Sequence, residues 1–259
     1  MTISVNPDWW KRLFDDIYLA TDARSVCNPR ITRREVDLVC HLLNPSRHDR
    51  ILDLCGGQGR HLFELYRRGY RNVTLADYSA TLTTKALEHA RRLNCGIGVL
   101  RCDARHTGLS ENRFDHVLIL GNSLGYLLEP AADLTIIREA LRVLRPEGRL
   151  LIDVTNGASV KENFTPSAWH EVDPDIIVCR QRELRGDMVN AREIVLSRKK
   201  GLIREETYRL NLYDATSLEK LLKKAGFEDA CIHARFSPHA QAGDYGFMND
   251  RLIATATKP

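Results

Sequence analysis

The chain has 259 residues and a net charge of +4, with 43% hydrophobic and 28% charged residues. That balance is ordinary for a folded globular domain, and no apolar run approaches the ~20 residues of a membrane-spanning helix. The mild basicity does not call for a nucleic-acid partner, and seven cysteines set singly, with no C-x-x-C pair, argue for reduced thiols and against a disulfide frame or a zinc site.

Met1 to Trp10 carry neither a basic n-region nor an apolar h-region, so no signal peptide is expected and the expected location is cytoplasmic. Trp9, Trp10, Leu13, Phe14, Ile17 and Tyr18 recur at helical spacing. Such a helix either packs its aromatic face on a core or covers a site as a lid. Thr32 to Leu43 reads as a second amphipathic helix.

From 50 to 154 strands and helices alternate, which predicts a parallel sheet covered on both faces. Strands are expected near 50–55, 72–77, 97–102, 114–120 and 148–154, with helices near 58–68, 79–94 and 131–144. Pro130 suits the first turn of the last helix, whose buried stripe is Leu134, Ile137, Leu141 and Leu144. From about 160 to 213 the pattern changes. Ile176–Cys179, Ala191–Leu196 and Glu206–Leu212 look like three antiparallel strands, with turns at Gly186-Asp187 and Lys200-Gly201. Thr216-Ser217-Leu218-Glu219 is a plausible capping box for a helix ending before Gly226. Ala230–Phe236 and Arg251–Thr257 would be the last two strands.

The first strand ends as Ile51-Leu52-Asp53-Leu54-Cys55-Gly56-Gly57-Gln58-Gly59-Arg60. An apolar run breaking into glycines before a helix brings backbone N–H groups close to a ligand. Gly57-Gln58-Gly59 begins like a dinucleotide fingerprint, but Leu62 stands where the third small residue belongs, which disfavours an NAD(P) dehydrogenase. The second strand, Val73-Thr74-Leu75-Ala76-Asp77-Tyr78, ends in an acid able to accept both hydroxyls of a ribose, with a ring beside it for an adenine face. Further pieces follow in order: Arg101-Cys102-Asp103-Ala104, Phe114-Asp115 leading to Leu120-Gly121-Asn122-Ser123, and Leu141 to Asp153 around Pro146-Glu147-Gly148.

In these motifs over residues 51 to 153 the chain resembles the class I S-adenosylmethionine (SAM) methyltransferases. The resemblance implies an α/β, doubly wound, seven-stranded Rossmann-like sheet with N-terminal helices and an antiparallel β insertion after strand five. Residues 1–45 would form a helical lid. Residues 46–158 and 214–259 would form the SAM-binding core, and 159–213 a substrate-side platform or a dimer-stabilising edge.

The implied cofactor is SAM, leaving as S-adenosylhomocysteine. Its implied binding residues are Asp53, Gly56, Gly57, Gly59, Arg60, Asp77, Tyr78, Asp103, Ala104, Gly121, Asn122 and Ser123. Asp77 would take the ribose, Asp103 the adenine amine and the Ala104 N–H a ring nitrogen. Asp53 would bond the loop's own backbone or lie near the methionine amine. Arg60 would pair with the methionine carboxylate or, equally well, be a solvated or helix-pairing arginine, and His61 reads as a surface or core residue rather than a base. Asn122 and Ser123 would bond the methionine moiety or the acceptor, or only shape a turn.

The stretch after strand four is not the Asn/Asp-Pro-Pro-Tyr/Phe motif of enzymes acting on adenine N6 or glutamine amides. It looks like that of small-molecule N- and O-methyltransferases. Expected, therefore, is methyl transfer by SN2 displacement to an amine or hydroxyl of a small molecule such as a secondary metabolite. Alternatives are an RNA methyltransferase or a non-catalytic SAM- or SAH-binding protein. No metal is called for. Partners reduce to the small-molecule substrate, without membrane and with nucleic acid disfavoured, in a monomer or homodimer. Rim candidates for proton handling are Tyr126, His170, His239 and Tyr245, with His170 and Tyr126 the catalytic expectations, although a surface role for His170 competes.

Overall fold

A computed structural model describes residues 2–22, 26–239 and 248–259. Strands β1 (Ile51–Leu54), β2 (Val73–Asp77), β3 (Gly98–Arg101), β4 (Phe114–Ile119) and β5 (Leu144–Thr155) pair in parallel, and β10 (Glu228–Phe236) and β11 (Arg251–Thr257) close the sheet antiparallel, in the order β10-β11-β5-β4-β1-β2-β3. The chain runs outward one way from β1 to β3 and the other way from β4 to β5. The crevice between the C-terminal ends of β1 and β4 is therefore the switch point where α/β sheets bind ligands.

Alternation explains why the strands read as continuous apolar runs. Leu52, Leu54, Val117 and Ile119 face a core with Ile137, Ala140, Leu218 and Leu222. Ile51, Leu75 and Leu118 face the opposite core with Val36, Val39, Leu62 and Leu65. Both faces are covered, so every position of β1 is buried. The covering helices are α3 (Pro29–Leu43), α4 (Arg60–Arg67), α5 (Ala80–Arg92), α6 (Ala132–Val143) and α8 (Ala215–Ala225), with a short α7 (Gly157–Glu162) after β5.

Several boundaries differ from expectation for local reasons. The first helix is two pieces, α1 (Trp10–Leu13) and α2 (Asp16–Thr21), because the Asp15 carboxylate turns back to accept from Tyr18 N at 2.9 Å and caps a new helix. Helix α3 starts before Thr32, since Asn28 caps it and Pro29 suits its first turn. Pro130 precedes the cap of α6 rather than entering its first turn. The capping box of α8 uses Asp214 with Ser217, not Thr216 with Glu219.

The insertion is a sheet of four strands in the order β6-β7-β8-β9, not three: β6 (Ser167–Glu171), β7 (Ile176–Arg185), β8 (Met188–Ser197) and β9 (Gly201–Asn211). Strand β6 buries only His170, which gives no apolar signal. Strand β7 continues past Cys179 through charged residues that break the apolar pattern, of which Arg182 is buried. Asp133 ties this platform to the loop after β4, accepting from Gly125 N at 3.1 Å, from the Asn211 amide at 3.3 Å and from the Tyr213 hydroxyl.

Candidate active site

At the switch point a cavity of about 1060 Å³, counting its open mouth, runs over the ends of β1, β2 and β4. Gly56, Gly57, Arg60, Asp77, Tyr78, Asp103, Ala104, Gly121 and Ser123 all stand in its wall. Gly59 lies beneath it and needs glycine twice over. It caps α4 at φ +82, and a Cβ there would press on Phe63 and Leu75 at 3.1 and 3.2 Å. Gly56 passes so close over Asp53 that a Cβ would meet its carboxyl at 2.8 Å.

Asp77 accepts from Gly57 N at 2.9 Å and from Ser79 N at 2.8 Å. Burial pushes its carboxyl up, and these backbone donors pull back. A carboxylate offers about four lone-pair directions, so acceptor capacity remains for hydroxyls in the cavity. The Tyr78 ring packs edge-on to Trp10, with centroids 4.5 Å apart. Asp103 is clamped by Arg105, whose NH2 sits 2.7 Å from Oδ2. Burial pushes the Asp103 carboxyl up, but the Arg105 bonds prevail and hold it below its ordinary value.

Asp53 is fully buried behind the glycine loop, and neither carboxylate oxygen has a hydrogen-bond partner in the protein. Its pKa is pushed up to about 7 by burial, with Asp77 and Glu35 adding to the shift and Arg60 opposing it. The folded protein thus keeps a proton on Asp53 well above the ordinary carboxylate range. Stability is lost as pH rises through that interval, because the unfolded chain ionises first. Asp53→Asn is therefore expected to melt higher than wild type without ligand. The gap should widen from pH 4 to 7 and then stay constant; thermal melts across pH check it, and a constant gap throughout would contradict the shift.

Arg60 is turned toward α3. It forms a two-point ion pair with Glu35, with NH2 at 3.0 Å from Oε1, and bonds Thr32 Oγ1 at 3.2 Å. His61 Nε2 also meets Glu35, at 3.0 Å, and burial depresses its pKa to about 4.

A second cavity of about 810 Å³ adjoins the first, and Phe14, Tyr18, Val26, Gly121, Tyr126 and Met248 stand in both walls. Its far side is the platform, with Arg180 and Arg182 from β7, Glu193 from β8 and Arg204 and Tyr208 from β9. Asn122 belongs here rather than to the first cavity. Its Oδ1 accepts from Thr155 N at 2.8 Å, and its amide hydrogen-bonds Tyr126. Tyr126 stands at the junction, edge-on to Trp9 at 5.4 Å. His170 lines neither cavity among the described residues; its Nε2 faces the Thr21 carbonyl at 3.4 Å. His239 also lines neither, and Tyr245 lies outside the described residues.

Residues 51–148 match the family model described as a methyltransferase domain. The chain is a class I SAM-dependent methyltransferase. It is 27% identical over 202 residues to a glycine/sarcosine N-methyltransferase of Aphanothece halophytica, covering 76% of this chain and 73% of the relative. The methyltransferase shares its fold with the CcbJ methyltransferase of Streptomyces caelestis, at TM-score 0.74, 20% identity and 96% coverage of both chains. It likewise resembles the sugar N-methyltransferase KedS8 of Streptoalloteichus sp ATCC 53650, at TM-score 0.69, 20% identity and coverage of 100% and 98%.

SAM is the cofactor, and the residues present fit it. The glycine loop offers a close-approaching backbone, Asp77 retains acceptor capacity of the kind a ribose needs, and the Trp10–Tyr78 wall offers ring faces of the kind an adenine needs, whereas Asp53 stands behind the loop and lines neither cavity. The aromatic residues Trp10, Phe14 and Tyr18 complete the wall. Their helical spacing was visible in the sequence, but not which of the two faces it marked. Among the described residues no helix is long and apolar enough to cross a membrane.

Proposed function

We propose that the methyltransferase acts on a nitrogen of a small molecule seated in the second cavity, with SAM in the first. The carrying observation is the shared wall. Gly121 and Tyr126 border both spaces, so an acceptor on the platform side meets the methyl-donor end of the cofactor site. Bound SAM supplies an activated methyl on its sulfonium, and the chain's own residues have to align the acceptor and manage its proton. The names of the N-methylating relative and of the sugar N-methyltransferase favour nitrogen over oxygen. Free thiols at all seven cysteines favour a reducing, cytoplasmic setting. The protein acts as a monomer or homodimer in this reading.

An amine is protonated at neutral pH and must shed that proton before it attacks. Asp22 lies in the second cavity, 3.3 Å from Arg180 NH2. Burial raises its carboxyl above the ordinary value, with Arg180 opposing and Glu193 adding. Such a group takes up a proton at Oδ more readily than an exposed aspartate. We assign it, rather than His170, the role of proton acceptor, and Tyr126 the positioning of the acceptor at the junction. Asp22→Asn is expected to lower kcat about a hundredfold, the low end for a general base, with the SAM Kd unchanged. His170→Ala losing more turnover than Asp22→Asn would restore the histidine.

The reading is tested by incubating the enzyme with methyl-labelled SAM and an extract of the source cells split into small-molecule, RNA and protein fractions. Label on nitrogen in the small-molecule fraction supports it. Label in RNA or protein moves the acceptor to a macromolecule, and SAM binding without transfer points to the non-catalytic role.

A further inference from the structure

We infer that the outer face of the platform sheet binds a second copy of this chain, giving a homodimer. Strand alternation fixes which residues form that face. Arg180, Glu193 and Tyr208 line the second cavity, so the residues alternating with them point the other way. Trp169, Cys179 and Ile194 lie side by side in one row across β6, β7 and β8, and Ile177, Leu196 and Leu202 in the next row across β7, β8 and β9. The two rows make one apolar patch. Trp169 is 66% exposed and Leu202 60%; of the five large apolar side chains left exposed among the described residues, these two and Ile203 stand on this sheet. Contiguous apolar exposure with a polar rim marks an interaction site, whereas single exposed apolar residues do not. The other end of the same face is occupied by the chain's own start: Ile3 N donates to Glu183 Oε1 at 2.9 Å, and its carbonyl accepts from Asn190 Nδ2 at 3.4 Å.

Charge and area select the occupant. The patch ends at two neighbouring turns of opposite sign, with Glu171, Asp173 and Asp175 around the β6–β7 turn and Arg198, Lys199 and Lys200 in the β8–β9 turn. Arg198 pairs with Glu171, and on the opposite border Arg192 pairs with Glu205 at 2.7 Å, so this half of the face carries as many acids as bases. A lipid headgroup layer or a nucleic acid would call for a positive surplus; a second copy of the same face calls for none. Two such faces stacked about a twofold axis parallel to the strands set the acidic turn of each against the basic turn of the other, and Trp169 of one beside Leu202 of the other. Four strands about 4.8 Å apart over about 25 Å of strand and turn give roughly 500 Å² a copy, and two copies about 1,000 Å², the lower end for a specific interface.

Sedimentation equilibrium of the full chain tests this, loaded from low micromolar to about 100 µM. At the upper loading the mass should be twice that of the monomer. Trp169→Glu and Leu202→Glu should each weaken the dimer about tenfold or more, since each places a charge at the apolar contact. Their Kd for S-adenosylhomocysteine, read by calorimetry, should stay that of wild type, because both side chains are exposed on the face away from the cavities. The pair Lys199→Glu with Lys200→Glu should also weaken the dimer, by setting like charges against each other across the axis. A wild-type chain that stays monomeric at about 100 µM overturns the inference, and its co-flotation with phosphatidylserine vesicles would give the face to lipid instead. A dimer that both glutamate variants leave intact puts the contact on another surface and overturns it as well.

Discussion

Asp77→Ala is expected to weaken SAM binding by about 2–3 kcal/mol, roughly 30- to 150-fold in Kd. The carboxylate ends β2 next to the glycine loop and spends two of its lone pairs on Gly57 N and Ser79 N. In our assignment the remaining capacity meets the ribose hydroxyls. Alanine leaves those hydroxyls without their charged acceptor and also frees the loop amide that shapes the cradle. Helix α5 itself should persist, because its cap is the Ser79 hydroxyl, which accepts from Leu82 N at 3.1 Å and donates to Phe14 O at 2.6 Å. Asp77→Asn keeps one acceptor oxygen but turns an NH2 toward a backbone donor, so it should also lose affinity. Calorimetric titration with SAM, alongside a melting curve, separates cofactor contact from loop damage. Wild-type affinity in the alanine variant would remove the ribose assignment.

What the sequence made legible follows from how each signal arises. A parallel strand covered on both faces must be apolar throughout, and a backbone turning sharply under a ligand must carry glycine. The stretch from Ile51 to Gly59 therefore announces both its fold and its position at the site. Asp77 was legible for the same reason, as an acid closing an apolar strand. Arg60 was not. Its partner Glu35 lies 25 residues earlier and is shared with Arg251, 216 residues along the chain from Glu35, and no local pattern encodes which of two carboxylates a guanidinium will find. The charged residues of the platform were hidden by a stronger bias. Charged residues in a strand read as a solvated face, so the sequence pattern ends β7 at Cys179, yet Arg182 and Glu193 are buried beside a cavity. Position in the alternating register, rather than residue type, separates them from the exposed charges on the other face.

The buried ion pairs carry the largest stability effect. Glu35 is 3% exposed and is met by Arg60, by His61 Nε2 at 3.0 Å and by Arg251 NH2 at 2.6 Å. Arg251 is wholly buried and continues to Asp153 Oδ2 at 2.6 Å, and that same oxygen accepts from Gly121 N at 3.2 Å on the cavity wall. Burial disfavours the Glu35 charge, but Arg60, His61 and Arg251 outweigh it and hold the carboxyl well below its ordinary range. Removing Glu35 leaves the buried Arg60 charged without its carboxylate and Arg251 with Asp153 alone. Glu35→Ala is expected to cost about 3–5 kcal/mol, a large part of the roughly 5–15 kcal/mol of a typical domain. Urea unfolding should show a lower midpoint at unchanged slope, and Glu35→Gln a smaller shift of the same sign. The pH dependence distinguishes lost charge from lost packing. A depressed carboxyl pKa contributes stability that is present above the unfolded value and disappears as pH falls below it. Wild type should therefore lose more stability than Glu35→Ala on acidification below about pH 4.5, the ordinary glutamate value, and the two should converge. Curves that stay parallel would mean that the alanine variant loses only packing. Because the set ends on Gly121, SAM affinity in Glu35→Ala should fall together with stability, whereas in Asp77→Ala the loss of affinity should exceed any loss of stability.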